Sequence, residues 1–128
     1  DSLAQAKERV GAAGLTNVTF RQGDIFSLPF PPAHFDHVFV CFVLEHLRQP
    51  AEALDRLKDV LAPGGTITVI EGDHGSAYFY PLSDAADRTI QCQIDLQSNA
   101  GGNALIGRAI RRATINPVPH NTAKTRSP

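Results

Sequence analysis

The stretch Leu61-Ala62-Pro63-Gly64-Gly65-Thr66-Ile67-Thr68-Val69-Ile70-Glu71 most constrains the fold. Proline cannot continue a helix, and paired glycines supply the backbone freedom of a tight reversal. The β-branched run Thr66 to Ile70 then reads as a buried strand. A second such run, His37 to Leu44, lies upstream and has no polar alternation, as in strands covered on both faces. Between the two, Pro50 suits a first helical turn, and Ala51, Leu54, Leu57, Val60 and Leu61 recur at helical spacing. Strand, helix and strand in succession imply a parallel pair and an α/β fold.

The rest of the chain continues that alternation. Asp1 or Ser2 caps a first helix carrying Leu3, Ala6 and Val10 on one stripe, and Gly11 and Gly14 end it. Val18 to Gln22 reads as a short strand closed by Gly23-Asp24, and Pro29, Pro31 and Pro32 mark the loop that follows. Pro81 to Leu96 reads as a helix with Ala86, Ile90 and Ile94 inward. Gly101-Gly102 breaks it, and Asn103 caps a short helix through about Arg112. Residues 1–112 are thus expected to form a partial domain. Residues 113–128 have few apolar anchors and are expected to be a mobile or aberrant basic tail.

The net charge of −1 gives no overall attraction to nucleic acid. The charge is uneven: residues 1–95 hold 7 basic and 13 acidic side chains, and residues 96–128 hold 5 basic and none acidic. Without interleaved aromatics, five basic residues read as a solvated tail rather than a nucleic-acid arm. Two cysteines make no disulfide framework, and no apolar run approaches a membrane span. A soluble protein of the reducing cytoplasm, with no membrane partner, is expected; its oligomeric state is unreadable. The chain contains no methionine and opens directly on a helix cap, which suggests a piece of a longer protein.

Five segments in order resemble the class I S-adenosylmethionine-dependent methyltransferases, in their ubiquinone/menaquinone-biosynthesis-type small-molecule branch. They are Val18-Thr19-Phe20-Arg21-Gln22-Gly23-Asp24-Ile25, Leu28-Pro29-Phe30, Phe35-Asp36-His37-Val38, Val43-Leu44-Glu45-His46-Leu47 and Leu61-Ala62-Pro63-Gly64-Gly65. The resemblance covers about residues 1–80. It implies a partial Rossmann-like three-layer sandwich of parallel strands, N-terminally truncated. The strand order would be 3-2-1-4-5-7-6, with the first two strands and the last two lacking. The family's glycine-rich loop, Asp/Glu-x-Gly-x-Gly-x-Gly, does not occur in the chain. With strands about 4.8 Å apart, the third and fourth would stand about 14 Å from each other.

The resemblance also implies roles for residues. Asp24, beside Gly23, would accept from the adenine amino group of S-adenosylmethionine, and Ile25 and Phe26 would pack on the ring. Phe42 and Val43 would pass beneath the cofactor, and Glu45 and His46 would face the site of methyl transfer. In-line displacement at a sulfonium methyl depends mainly on alignment. His46 or His74 would take a proton from a hydroxyl or amine nucleophile. Glu45, Asp73, Tyr78 and Tyr80 would contact the small-molecule acceptor, with Tyr78, Phe79 and Tyr80 as an apolar wall or a partner for the sulfonium charge. Each has a plainer reading: Asp24 as a turn residue, Glu45-His46 as a cap, the tyrosines as packing. Glu71, Asp73 and His74 make a polar loop more naturally than a metal site. Three readings of the whole chain stay open. It is a fragment of a methyltransferase acting at an O, N or C centre, a catalytically silent partial domain working through strand edges, or a nicotinamide-binding domain. The last lacks its Gly-x-Gly-x-x-Gly.

Overall fold

A computed structural model describes residues 2–110. The expected cap at Asp1, the end of the last helix at Arg112 and the basic tail at 113–128 lie outside the described residues. Strand β1, Phe35–Cys41, and strand β2, Leu61–Ile70, form a parallel two-stranded sheet. Helix α1 spans Ser2–Ala12, α2 Pro50–Asp59, α3 Asp84–Asn99 and α4 Ile106–Ile110. The α/β class with parallel strands therefore holds. None of the described helices is long and apolar enough to cross a membrane.

Helix α2 connects the two strands. Pro50 sits in its first turn, where its missing N–H would have had no partner, and Val60 caps the end. Ala53 and Leu57 are buried and Leu54 half-buried, whereas Ala51, expected in the stripe, is exposed. Ala53 and Leu57 pack with Val40 of β1, Leu44 and Ile106 of α4. Val38 and Ile67, and Val40 and Val69, are register partners whose side chains add to this same core.

Neither strand is covered on both faces by the described residues. His37, Phe39 and Cys41 stand opposite Thr66, Thr68 and Ile70, and all six are exposed. Phe39 keeps 59% of its surface and Ile70 44%. An unbroken apolar run reports hydrophobicity on both faces, but occupancy of each face depends on a second layer. Here α2 and α4 contribute to one core, and α1 has no fully buried residue.

Several elements differ from the sequence reading: β1 runs Phe35–Cys41 rather than from His37 to Leu44, and α3 runs Asp84–Asn99 rather than from Pro81 to Leu96. Val18–Gln22 is not a strand: a strand requires a hydrogen-bonded ladder, and among the described residues this segment has none. The Pro63-Gly64-Gly65 turn lies inside β2 rather than before it. Phe35 pairs with Leu61 and His37 with Thr66, so the longer β2 segment bulges between the two pairs. Gly64 takes φ +81° in this bulge, and a Cβ on Gly65 would come within 2.8 Å of the Ala62 carbonyl oxygen and 3.1 Å of that of Asp36. Both neighbours are backbone and cannot swing aside. Gly65→Ala is expected to cost about 1–3 kcal/mol, read as a lower urea midpoint.

Candidate active site at the carboxyl edge of the sheet

Both strands end at the same edge, and the chain turns sharply there. Phe42 follows β1 with φ +53°, a left-handed conformation unusual for a bulky residue. Its N–H donates to the Ile70 carbonyl at 2.9 Å, which ties the turn to the end of β2. A 3-10 turn, Leu44–His46, follows. Its leading N–H groups have no partner within the turn, and the Glu71 side chain supplies one. Oε1 accepts from Val43 N–H at 3.0 Å and from Leu44 N–H at 2.8 Å, and Oε2 accepts from Glu45 N–H at 3.2 Å. A carboxylate accepting three backbone donors is a strong, charge-assisted clamp.

That clamp directs Glu45 inward. Glu45 is only 6% exposed, the one buried charged residue among those described. Its carbonyl oxygen accepts from Asn103 N–H at 2.7 Å and from the Gln97 amide at 3.1 Å. Its carboxylate lies between two imidazoles: His46 Nε2 is 3.4 Å from Oε1 and His74 Nε2 is 3.5 Å from Oε2. Oε2 is buried and has no hydrogen-bond partner. The two rings face opposite oxygens of one carboxylate rather than a common centre. Among the described residues no group of three His, Cys, Asp or Glu side chains converges as a metal site.

The loop after β2 is fastened from the other side. His74 N–H donates to the Ala104 carbonyl at 2.9 Å, and Gly107 N–H to that of Gly72 at 3.0 Å. A side chain on Gly102 would overlap the Glu45 carbonyl oxygen, so the turn after α3 approaches the site as closely as backbone can. From α3, the amide nitrogen of Gln93 lies 3.3 Å from His74 Nε2, and that of Gln97 3.4 Å from His46 Nδ1.

Asp73 stands beside this group with a different partner. Arg108 of α4 donates from Nε to both carboxylate oxygens, at 3.0 and 2.9 Å, and Ser76 Oγ donates at 2.7 Å. The hydrogen bonds from Arg108, then Ser76, hold the Asp73 carboxyl below its ordinary range. A carboxyl depressed in the folded state stabilises above its unfolded value, near 3.8, and loses that contribution as pH falls through the lower folded value. Acid titration of unfolding is therefore expected to show a smaller loss of stability below pH 4 in Asp73→Asn than in the parent chain.

The remaining candidates are placed apart from this cluster. Asp24 is exposed, and its Oδ1 accepts from Phe26 N–H at 2.9 Å, an Asx turn of the plainer kind. Gly23, Ile25 and Val43 line one cavity of about 270 Å³ with Val38, Val40 and Leu57. Phe26 packs against the core, and Phe42 is 55% exposed. Tyr78 and Tyr80 are 77% and 90% exposed. The structure thus brings Glu45, His46 and His74 together, seats Asp73 next to them in an ion pair, and leaves Asp24 and the tyrosines elsewhere.

The sequence reading weighs Glu71 only as a metal ligand and passes over Gln93, Gln97 and Arg108 as partners in the site. A signal existed for three of them. Glu71 ends an apolar strand, where its charge must find donors, and Gln93 and Gln97 lie four apart on one face of a helix.

The methyltransferase domain family matches residues 1–69 of the chain. The chain belongs to the methyltransferase domain family. It is 40% identical over 111 residues to an uncharacterised methyltransferase of Schizosaccharomyces pombe, covering 87% of this chain and 40% of that protein. It is 41% identical over 69 residues to the demethylmenaquinone methyltransferase of Thermus thermophilus, covering 54% of this chain and 31% of that one. The fold is similar to that of a SAM-dependent methyltransferase from Aquifex aeolicus. The TM-score is 0.53 at 24% identity, over 77% of this chain and 52% of that one. This methyltransferase domain thus spans 40% or less of the length of these two curated relatives.

Proposed function

We propose that this chain contributes to an enzyme, set in the cytoplasm, that moves a methyl group from S-adenosylmethionine to an O, N or C centre of a small molecule. Membership of the methyltransferase domain family supports the reaction class. The observation that carries the site is the buried Glu45 carboxylate held between His46 and His74 at the carboxyl edge of the sheet, where open α/β sheets bind ligands.

The residues present fit part of the cofactor. The cavity beside Gly23, Ile25 and Val43 has apolar walls that suit a flat heterocycle. Asp24 lies exposed next to it, and a carboxylate accepts from an exocyclic amine. When bound, the cofactor supplies an electrophilic methyl on a sulfonium centre. Val43 would join the two halves of the site: it lines the cavity, and its N–H is held by Glu71 at 3.0 Å. The Glu71 clamp would fix the turn so that Glu45 and the imidazoles keep their places as the acceptor aligns, which is where most of the rate arises. His46 or His74 would take the proton released by a hydroxyl or amine acceptor.

Calorimetry with S-adenosylhomocysteine on residues 1–128 tests this. Micromolar binding by this chain would refute a catalytically silent domain, and that binding is expected to weaken at least tenfold in Asp24→Ala; undiminished affinity in that variant would count against the adenine assignment. A second reading rests on the exposed sheet face at Phe39 and Ile70: a catalytically silent domain that acts by contact with another chain. The absence of any heat with S-adenosylhomocysteine, together with concentration-dependent self-association, would favour it.

A further inference from the structure

The two histidines do not offer the same chemistry. At His46, Nε2 faces Glu45 Oε1 at 3.4 Å and Nδ1 meets the Gln97 amide nitrogen at 3.4 Å. An amide N–H can only donate, so Nδ1 accepts and the ring proton sits on Nε2 against the carboxylate. Both nitrogens are then engaged. At His74, both recorded contacts fall on Nε2: Glu45 Oε2 at 3.5 Å and the Gln93 amide nitrogen at 3.3 Å. One nitrogen cannot donate to Glu45 and accept from Gln93 at once. Glu45 Oε2 is buried and makes no hydrogen bond as the side chains stand, with His74 Nε2 3.5 Å away, whereas Gln93 is exposed and can turn its amide or bond to water. Leaving the carboxylate oxygen unpaired is the costlier outcome.

We infer that Glu45 is a positioning residue that holds the proton of His74 on Nε2, leaving Nδ1, which has no contact among the described residues, open to accept a proton from the methyl acceptor. Glu45 accordingly touches no substrate, and His46 acts as its fixed second partner, kept in one tautomer by Gln97. As the acceptor's oxygen or nitrogen bonds the methyl carbon, the sulfonium sulfur keeps the electron pair of the broken bond. The acceptor's proton passes to His74 Nδ1, and the imidazolium so formed lies against the Glu45 carboxylate.

The charged groups around the pair are consistent with this assignment. Glu71 spends its charge on three backbone N–H groups, Asp73 is paired with Arg108, and the Arg48 side chain lies against Gly101. No Lys or Arg contacts the Glu45 carboxylate among the described residues.

This inference rests on the methyl-transfer reading only for the source of the proton; the tautomer itself can be read without cofactor. Imidazole nitrogen NMR on the full chain at neutral pH is expected to show His74 as a single Nε2–H tautomer. In Glu45→Gln that preference should be lost and both tautomers should appear. In Gln93→Leu, which removes the competing donor and leaves Glu45 in place, the Nε2–H form should persist or sharpen; this variant keeps the test open if Glu45→Gln does not fold. A parent His74 protonated on Nδ1, an unchanged tautomer in folded Glu45→Gln, or a shift to Nδ1–H in Gln93→Leu would each overturn the coupling. The expected tautomer in a chain that does not bind S-adenosylhomocysteine would instead overturn the methyl-transfer reading.

Discussion

Glu71→Ala is expected to lower the stability of the domain by about 2–4 kcal/mol, since hydrogen bonds to a charged group contribute about 1.5–3 kcal/mol each and do not add fully. Three donors lose their acceptor together: Val43, Leu44 and Glu45. Leu44 is fully buried and Glu45 nearly so, so neither amide gains full hydration in exchange. The effect should also spread to the site, because the same three bonds set where the Glu45 carboxylate points. Urea unfolding of the parent, Glu71→Ala and Glu71→Gln measures it. Glu71→Gln retains one oxygen for the Val43 and Leu44 amides but presents an amide to Glu45 N–H, and should fall between the other two. Equal midpoints for all three chains would mean that the turn is held by packing alone.

The other large effect is expected at Leu44 itself. It is the one large side chain in the described structure with no exposed surface, and it packs with Val40, Ala53, Leu57 and Ile106. Those neighbours come from β1, α2 and α4, so the cavity left by Leu44→Ala has rigid walls on several sides. Such truncations cost about 2–5 kcal/mol. A small domain has only about 5–15 kcal/mol in hand. The variant should therefore be partly unfolded at 37 °C, visible as loss of helical signal and a lowered thermal midpoint. Leu54→Ala, at a half-buried position of α2, should cost less than half as much.

What could be read ahead of the structure follows the range of each interaction. Helix α2 was legible because its signals are local: proline at the start and apolar residues on one side. The stripe slipped at one position, with Ala53 inward where Ala51 had been expected, because alanine carries too little surface to fix a helix's rotation. The parallel pair was legible from the strand–helix–strand order. Val18–Gln22 was misread because β-propensity describes a willingness to pair, and no residue in the segment can supply its partner. The cluster at Glu45 was half legible. Glu45-His46 and His74 were picked out as polar residues after apolar strands. Nothing local says that Glu45 should be buried: α3, some fifty positions along the chain, and the turn at Asn103 do that. For the same reason nothing local pairs Asp73 with Arg108, 35 positions further along the chain.

The uncovered side of the sheet carries a built-in reporter. Cys41 ends β1 opposite Ile70, at the carboxyl edge of that side, and the second thiol, Cys92, lies exposed on α3. Alkylation of the two sulfurs can be followed side by side in one sample. Any polypeptide laid across the strands should slow the first reaction and spare the second, so the ratio of the two rates measures shielding without any knowledge of what provides it.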